Sequence, residues 1–173
     1  MRTPFVELRG SRLLKAPLRI EGEYQRPADD VLVRQVRVPY VETSTIRGGG
    51  VTIARGAASK TYPLDRAPEL AGLQSSFGAL LSGDRALLEN HFRVESAGSR
   101  ERWTLRLVPR EKAMATRVRE LVLHGRGAEL RCIETCPVKG DAQRTLLAGA
   151  AQAAAGVREA AALAALCAGT PAR

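Results

Sequence analysis

Apolar and polar residues alternate with a period of two through most of the first sixty positions. The alternation runs through Phe5-Val-Glu-Leu-Arg9, Leu18-Arg-Ile-Glu-Gly22, Val31-Leu-Val-Arg-Gln-Val-Arg-Val38 and Val51-Thr-Ile-Ala-Arg55. Turn chemistry separates the runs, at Arg26-Pro27-Ala-Asp-Asp30 and at Gly48-Gly-Gly50. This pattern predicts an up-and-down antiparallel sheet with one apolar and one charged face. In the second strand Leu18, Ile20, Gly22 and Tyr24 share the apolar side, against Arg19, Glu21 and Glu23. In the third, Leu32, Val36 and Val38 share a side that Arg34 interrupts. Pro39 limits that strand or places it at an edge. Val41 to Ile46 sets Glu42, Ser44 and Ile46 on one face. It meets Val51 through the glycines, which accept positive φ.

The period changes near Pro68. Leu70, Leu73, Phe77, Leu80 and Leu81 recur at helical spacing, with Asp65 or a neighbour as the cap. Ser82-Gly83-Asp84 stops the run, and Asp84 is a candidate cap for a second short helix holding Leu87 and Leu88. A helix face this apolar has to lie over something greasy. Strands resume at Phe92-Arg-Val94, and Ser96-Ala-Gly-Ser99 reads as a turn into Trp103, Leu105 and Leu107. Pro109-Arg-Glu-Lys-Ala113 reads as a loop. Val118 to His124 and Glu129 to Glu134 read as a hairpin around Gly125-Arg-Gly127, and Gln143 to Leu147 as a last strand. The tail from Ala150 to Ala168 is mostly alanine, broken by Gly156 and carrying Leu163, Leu166 and Cys167. Alanine predicts a helix, and its small bulk predicts a partly frayed one on the surface. The reading is an α+β fold: a curved antiparallel sheet, or open half-barrel, over residues 1–149, covered by helices, with a helical tail over 150–173.

Composition narrows the function classes. The chain has 173 residues, enough for one domain with a proper core, and a formal charge of +9 with a pI near 10.3. Such a surplus favours anionic partners, or simply a basic surface. Lysine is scarce (Lys15, Lys60, Lys112 and Lys139), so nearly all of the surplus is arginine, which grips carboxylate and phosphate bidentately. Aromatic residues make up only 4% and are scattered, without the stacking pattern of a single-strand nucleic-acid binder. A basic nucleic-acid module is therefore disfavoured. No run of about 18 apolar residues spans a membrane. The chain opens without a signal-peptide pattern, Met1-Arg-Thr-Pro running almost straight into the first strand, so a trimmed or late-called start is expected.

Candidate chemistry is sparse. Glycine-rich phosphate loops, a Gly-x-Ser-x-Gly elbow and a His-Glu-x-x-His pair are all missing, and Gly48-Gly49-Gly50 precedes no helix. Asp29-Asp30 shape a turn rather than perform acid–base work. Cys132-x-x-x-Cys136 has no second ligand pair, and His91 and His124 are isolated, so neither zinc nor any other cofactor is expected. A disulfide between two of Cys132, Cys136 and Cys167 is plausible in an oxidising compartment, with the pairing open. An enzyme is not expected.

The order of strands, Arg-Pro turn, further strands, helical insertion and hairpins resembles the periplasmic lipoprotein carriers of the LolA family. The residues carrying the resemblance are Phe5-Val-Glu-Leu-Arg9, Gly22-Glu-Tyr-Gln-Arg26-Pro27, Val36-Arg-Val-Pro39 and Gly50-Val-Thr-Ile53. Leu80-Leu-Ser-Gly-Asp84, Phe92 and Trp103-Thr-Leu-Arg-Leu-Val-Pro109 continue it. The divergent LolA-like branch, often found beside aryl-polyene pigment genes, is the closer match, over roughly Phe5 to Leu147. The family's usual leader and helix before the first strand are not expected from the opening Met1-Arg-Thr-Pro4. The chain has no tryptophan after the Arg-Pro turn and no aromatic-rich ending.

The resemblance implies a non-enzymatic, periplasmic, monomeric carrier that takes acyl chains of a lipoprotein or lipid-like ligand. It would work between inner- and outer-membrane handover proteins. An accessory role in aryl-polyene assembly, holding an acylated intermediate, is the alternative. Lining residues expected for such cargo are Leu18, Ile20, Leu32, Val36, Val51, Ile53, Leu73, Phe77, Leu80, Trp103, Leu105, Leu121 and Leu123. In the family the arginine of the Arg-Pro turn bonds to the lid, and Arg26 matches that position.

Overall fold

A computed structural model describes residues 2–9, 17–66 and 85–169. Eleven strands form one open antiparallel sheet. They are β1 (Arg2–Arg9), β2 (Leu18–Ala28), β3 (Val31–Val38), β4 (Glu42–Arg47), β5 (Gly50–Arg55), β6 (Ala58–Pro63), β7 (Phe92–Ser99), β8 (Arg102–Pro109), β9 (Val118–Arg126), β10 (Glu129–Pro137) and β11 (Gln143–Leu147). The spatial order is β6-β5-β4-β3-β2-β1-β11-β10-β9-β8-β7. Two meanders, β1–β6 and β7–β11, therefore meet where β1 pairs β11, with Phe5 opposite Leu147. The helices are α1 (Arg85–His91), α2 (Lys112–Ala115), α3 (Ala148–Ala153) and α4 (Ala160–Cys167).

The predicted strands are present, with corrections at their ends. β2 runs through Pro27 to Ala28 and leaves only Asp29 and Asp30 in the turn. The ladder slips register between Gln25 and Ala28, which accommodates a residue with no N–H to donate. Ser96 to Ser99 is strand, not turn, and the reversal falls at Arg100 and Glu101. β7 is an edge strand, so its polar end needs no alternation. β6 was not anticipated, because every one of its residues is exposed. The loop expected after Pro109 holds α2. The helix expected around Leu70 to Leu81, and Asp84, lie outside the described residues.

Period-two alternation sorts side chains onto two faces, and each face has its own core. The inner core contains Phe5, Ile20, Tyr24, Leu32, Val36, Ile46, Val51, Phe92, Leu107, Leu121, Leu123, Ile133 and Leu147, with Leu88 of α1 buried among them. Met114 of α2 packs at its margin. The outer core is smaller: Val6, Cys132 and Leu146 from the sheet meet Ala150, Ala151, Ala154, Leu163, Leu166 and Cys167 from the tail.

The alanine-rich tail is thus docked, not frayed. Cys132 and Cys167 form a disulfide that closes 35 residues of chain, leaving Cys136 as a buried free thiol. Sheet side chains also hold both ends of α3, which has no local side-chain cap. Glu129 Oε1 accepts the Gly149 N–H at 2.9 Å. Arg19 donates to the carbonyls of Ala154, at 2.9 Å, and Val157. Acid at the N-terminus and base at the C-terminus match the helix dipole.

Candidate functional site

The inner face gathers the residues that alternation singles out. Ile20, Leu32, Val36, Val51, Leu121 and Leu123 are buried in its core, and Leu18, Ile53, Trp103 and Leu105 are half-buried against it. Leu73, Phe77 and Leu80 lie outside the described residues. Trp103 is placed by a specific fit. Gly125 stands opposite it in the β8–β9 ladder, and a Cβ there would come within 1.9 Å of the indole. The indole N–H donates to the Gly127 carbonyl at 2.9 Å. Gly22 is equally constrained, since a Cβ would meet the Gln35 carbonyl oxygen at 1.9 Å.

The inner face is not purely apolar. Arg34, the residue that interrupts β3, is buried and pairs with Glu7 at 2.9 Å. Its guanidinium lies 4.7 Å from the centre of the Phe5 ring and beside the Tyr24 hydroxyl. Glu7 also contacts Arg9 at 3.1 Å and accepts the Thr145 hydroxyl at 3.2 Å. Burial opposes the Arg34 charge, but Tyr24 and Glu7 outweigh it and raise its pKa. Burial also pushes the Tyr24 hydroxyl well above its ordinary value, with Arg34 pulling the other way. Further along, Glu42 and Ser44 are buried, and Glu42 is met by Arg55 from the rim. Alternation puts Arg34, Glu42 and Ser44 on this face, but their partners come from other strands and no local signal names them.

Arg26 lies at the end of β2 and donates to the Asp29 carbonyl at 2.9 Å, with the Asp29 carboxylate at 3.5 Å. The helix it was expected to hold lies outside the described residues. On the outer face, His124, Glu134 and Cys167 place donor atoms within 4.8 Å of one another. Cys167 is spent in the disulfide and Glu134 is held by Arg144 at 2.6 Å, so this trio offers no free thiolate to a metal. No helix among the described residues is long and apolar enough to cross a membrane.

Residues 1–170 match the family model described as outer membrane lipoprotein carrier protein LolA-like. The chain belongs to this LolA-like family. Two solved structures are distantly similar. The LolA superfamily protein NE2245 from Nitrosomonas europaea aligns with a TM-score of 0.42 at 9% identity, covering 83% of this chain and 67% of that one. LprF from Mycobacterium bovis aligns with a TM-score of 0.34 at 10% identity, covering 86% and 85%. No curated protein sequence matches significantly.

Proposed function

We propose that this LolA-like chain is a non-enzymatic periplasmic carrier. Its inner face receives the acyl chains of a lipoprotein or lipid-like cargo for transfer towards the outer membrane. One observation carries the reading: separate strands of both meanders deliver their aliphatic side chains to one continuous inner face. Each acyl methylene removed from water is worth roughly 0.8 kcal/mol, so a partly enclosed chain binds firmly without any bond being made. Release then requires a membrane or a competing apolar partner, which fits a protein passed between handover partners. In the same reading Arg26 takes the lid-locking role that its match to the Arg-Pro turn implies.

Displacement of a fluorescent fatty acid tests the proposal. Saturable binding is expected, with loss of affinity in Ile53→Asp and Leu105→Asp, two half-buried positions that a charge can occupy without unfolding the sheet. Unchanged affinity in both variants, or binding to DNA alone with steep salt dependence, overturns it.

A further inference from the structure

The outer face carries a cavity of its own, lined by the ends of α3 and α4 and by strands β7 to β10. Its volume is about 670 Å³, within the range of small-molecule sites. Its lining divides by chemistry. Ala153, Leu166 and the Cys167 end of the disulfide form an apolar wall. Arg102, Arg126 and Arg131 bring three guanidiniums, against the single carboxylate of Glu101. That carboxylate accepts the Ser99 hydroxyl at 2.7 Å, which holds its pKa below the ordinary range, and the nearby Arg126 charge adds to this, so Glu101 offsets part of the Arg126 charge. Arg131 has Glu129 at 3.4 Å, but the same carboxylate oxygen also takes the Gly149 N–H. Arg102 and Arg126 form no salt bridge among the described residues.

The C-terminal ends of α3 and α4 border the same cavity. The Arg102 stem runs beside the turn after α4, where a Cβ on Gly169 would meet its Cδ at 3.4 Å. The two helix ends together supply about one negative charge at most, so with Glu101 counted a smaller positive excess remains over the three arginines. Three planar, permanently charged forks beside a small apolar wall match a phosphate that carries a hydrocarbon or other apolar body.

We infer that this outer cavity binds a phosphate monoester or phosphodiester, the arginines taking the phosphate and the Leu166 wall taking the organic group. The site is separate from the inner face and does not depend on the carrier reading. Calorimetric titration of the full, disulfide-bonded chain with hexyl phosphate at physiological salt tests it. Saturable binding is expected, weakened by about tenfold or more in R102E/R126E. The same charge change away from the cavity, in R66E/R158E, leaves affinity within about twofold. L105D on the inner face also leaves it unchanged, so failure of this site and failure of the carrier reading are distinguishable. Inorganic phosphate separates the sources. Much weaker binding of the free ion is expected and assigns the site to a lipid headgroup or other ester, whereas equal binding assigns it to free phosphate and overturns the role of the Leu166 wall. Absence of saturable heat, or equal losses in the two double variants, overturns the inference.

Discussion

The two faces of the sheet are built on opposite principles. The inner core is made of large side chains (Phe5, Ile20, Phe92, Leu107 and Leu123 are all nearly inaccessible) and surrounds the buried Arg34–Glu7 ion pair. The outer core is made of alanines from the tail, three leucines, a valine and a disulfide. Large aliphatic residues bring their own driving force, because each buries enough apolar area to stabilise its contact. Alanine brings little area, so the tail is held by specific devices instead: a covalent link to β10, Glu129 at one end of α3 and Arg19 at the other. The contrast between the faces sets where plasticity is available. A surface secured by area can exchange one apolar partner for another, whereas a surface secured by a staple stays put.

The largest effect should come from stranding the inner charge. Glu7→Ala leaves Arg34 buried without its carboxylate and should cost about 3–5 kcal/mol in urea denaturation. Replacing both partners by leucine should recover most of that loss. If Glu7→Ala costs no more than an ordinary surface change, the pair is not buried in solution and the contrast between faces weakens. Next is the staple. Cys132→Ser with Cys167→Ser should cost about 4 kcal/mol on the loop-closure account for a 35-residue separation. Amide exchange should speed up in α3 and α4 while β2 to β5 stay protected. Loss of protection across the whole sheet would mean that the two cores are not separable.

Overpacking separates the faces more gently. Ala154→Leu enlarges a fully buried alanine under the tail and should cost about 1–3 kcal/mol by thermal melting. An effect near zero would mean that the tail is looser than its burial implies. The smallest effect is acid sensitivity. Burial holds the His124 pKa below its ordinary value, with Glu134 opposing that and Arg144 adding to it. The folded chain therefore binds this proton less readily than the unfolded one. His124 contributes stability above its ordinary value near 6.5, and the contribution is lost as pH falls through that value towards the lowered folded one. His124→Gln should flatten the fall in urea midpoint between about pH 7.5 and 5.5 by a small margin. An unchanged slope would contradict the assignment.

The difference between the faces also explains what could be read from residues alone. Alternation in β2, β3 and β5 is a local signal with a local cause, and Ile20, Leu32, Val36 and Val51 were placed by it. The tail gave a helix and nothing more, because a run of alanine has no amphipathic contrast from which to infer a buried side. Its docking depends on Arg19 and Cys132, far away in the chain. Arg34 was visible as an interruption, but its meaning rests on Glu7, which lies 27 residues earlier. β6 carried no pattern because a fully exposed edge strand need not alternate. The cavity beside Arg102 and Arg126 belongs to the same class, since tail and sheet build it together.

Trp103 offers the most direct test of the carrier reading. It is the one tryptophan in the chain, and it packs against the inner core. A fatty acid brominated along its chain quenches indole fluorescence only at close range. Titration should give saturable quenching that unbrominated fatty acid of equal length reverses. Firm binding of the brominated acid that leaves Trp103 emission unchanged would place the hydrocarbon elsewhere, and no binding at all would remove the cargo. Either result contradicts the account.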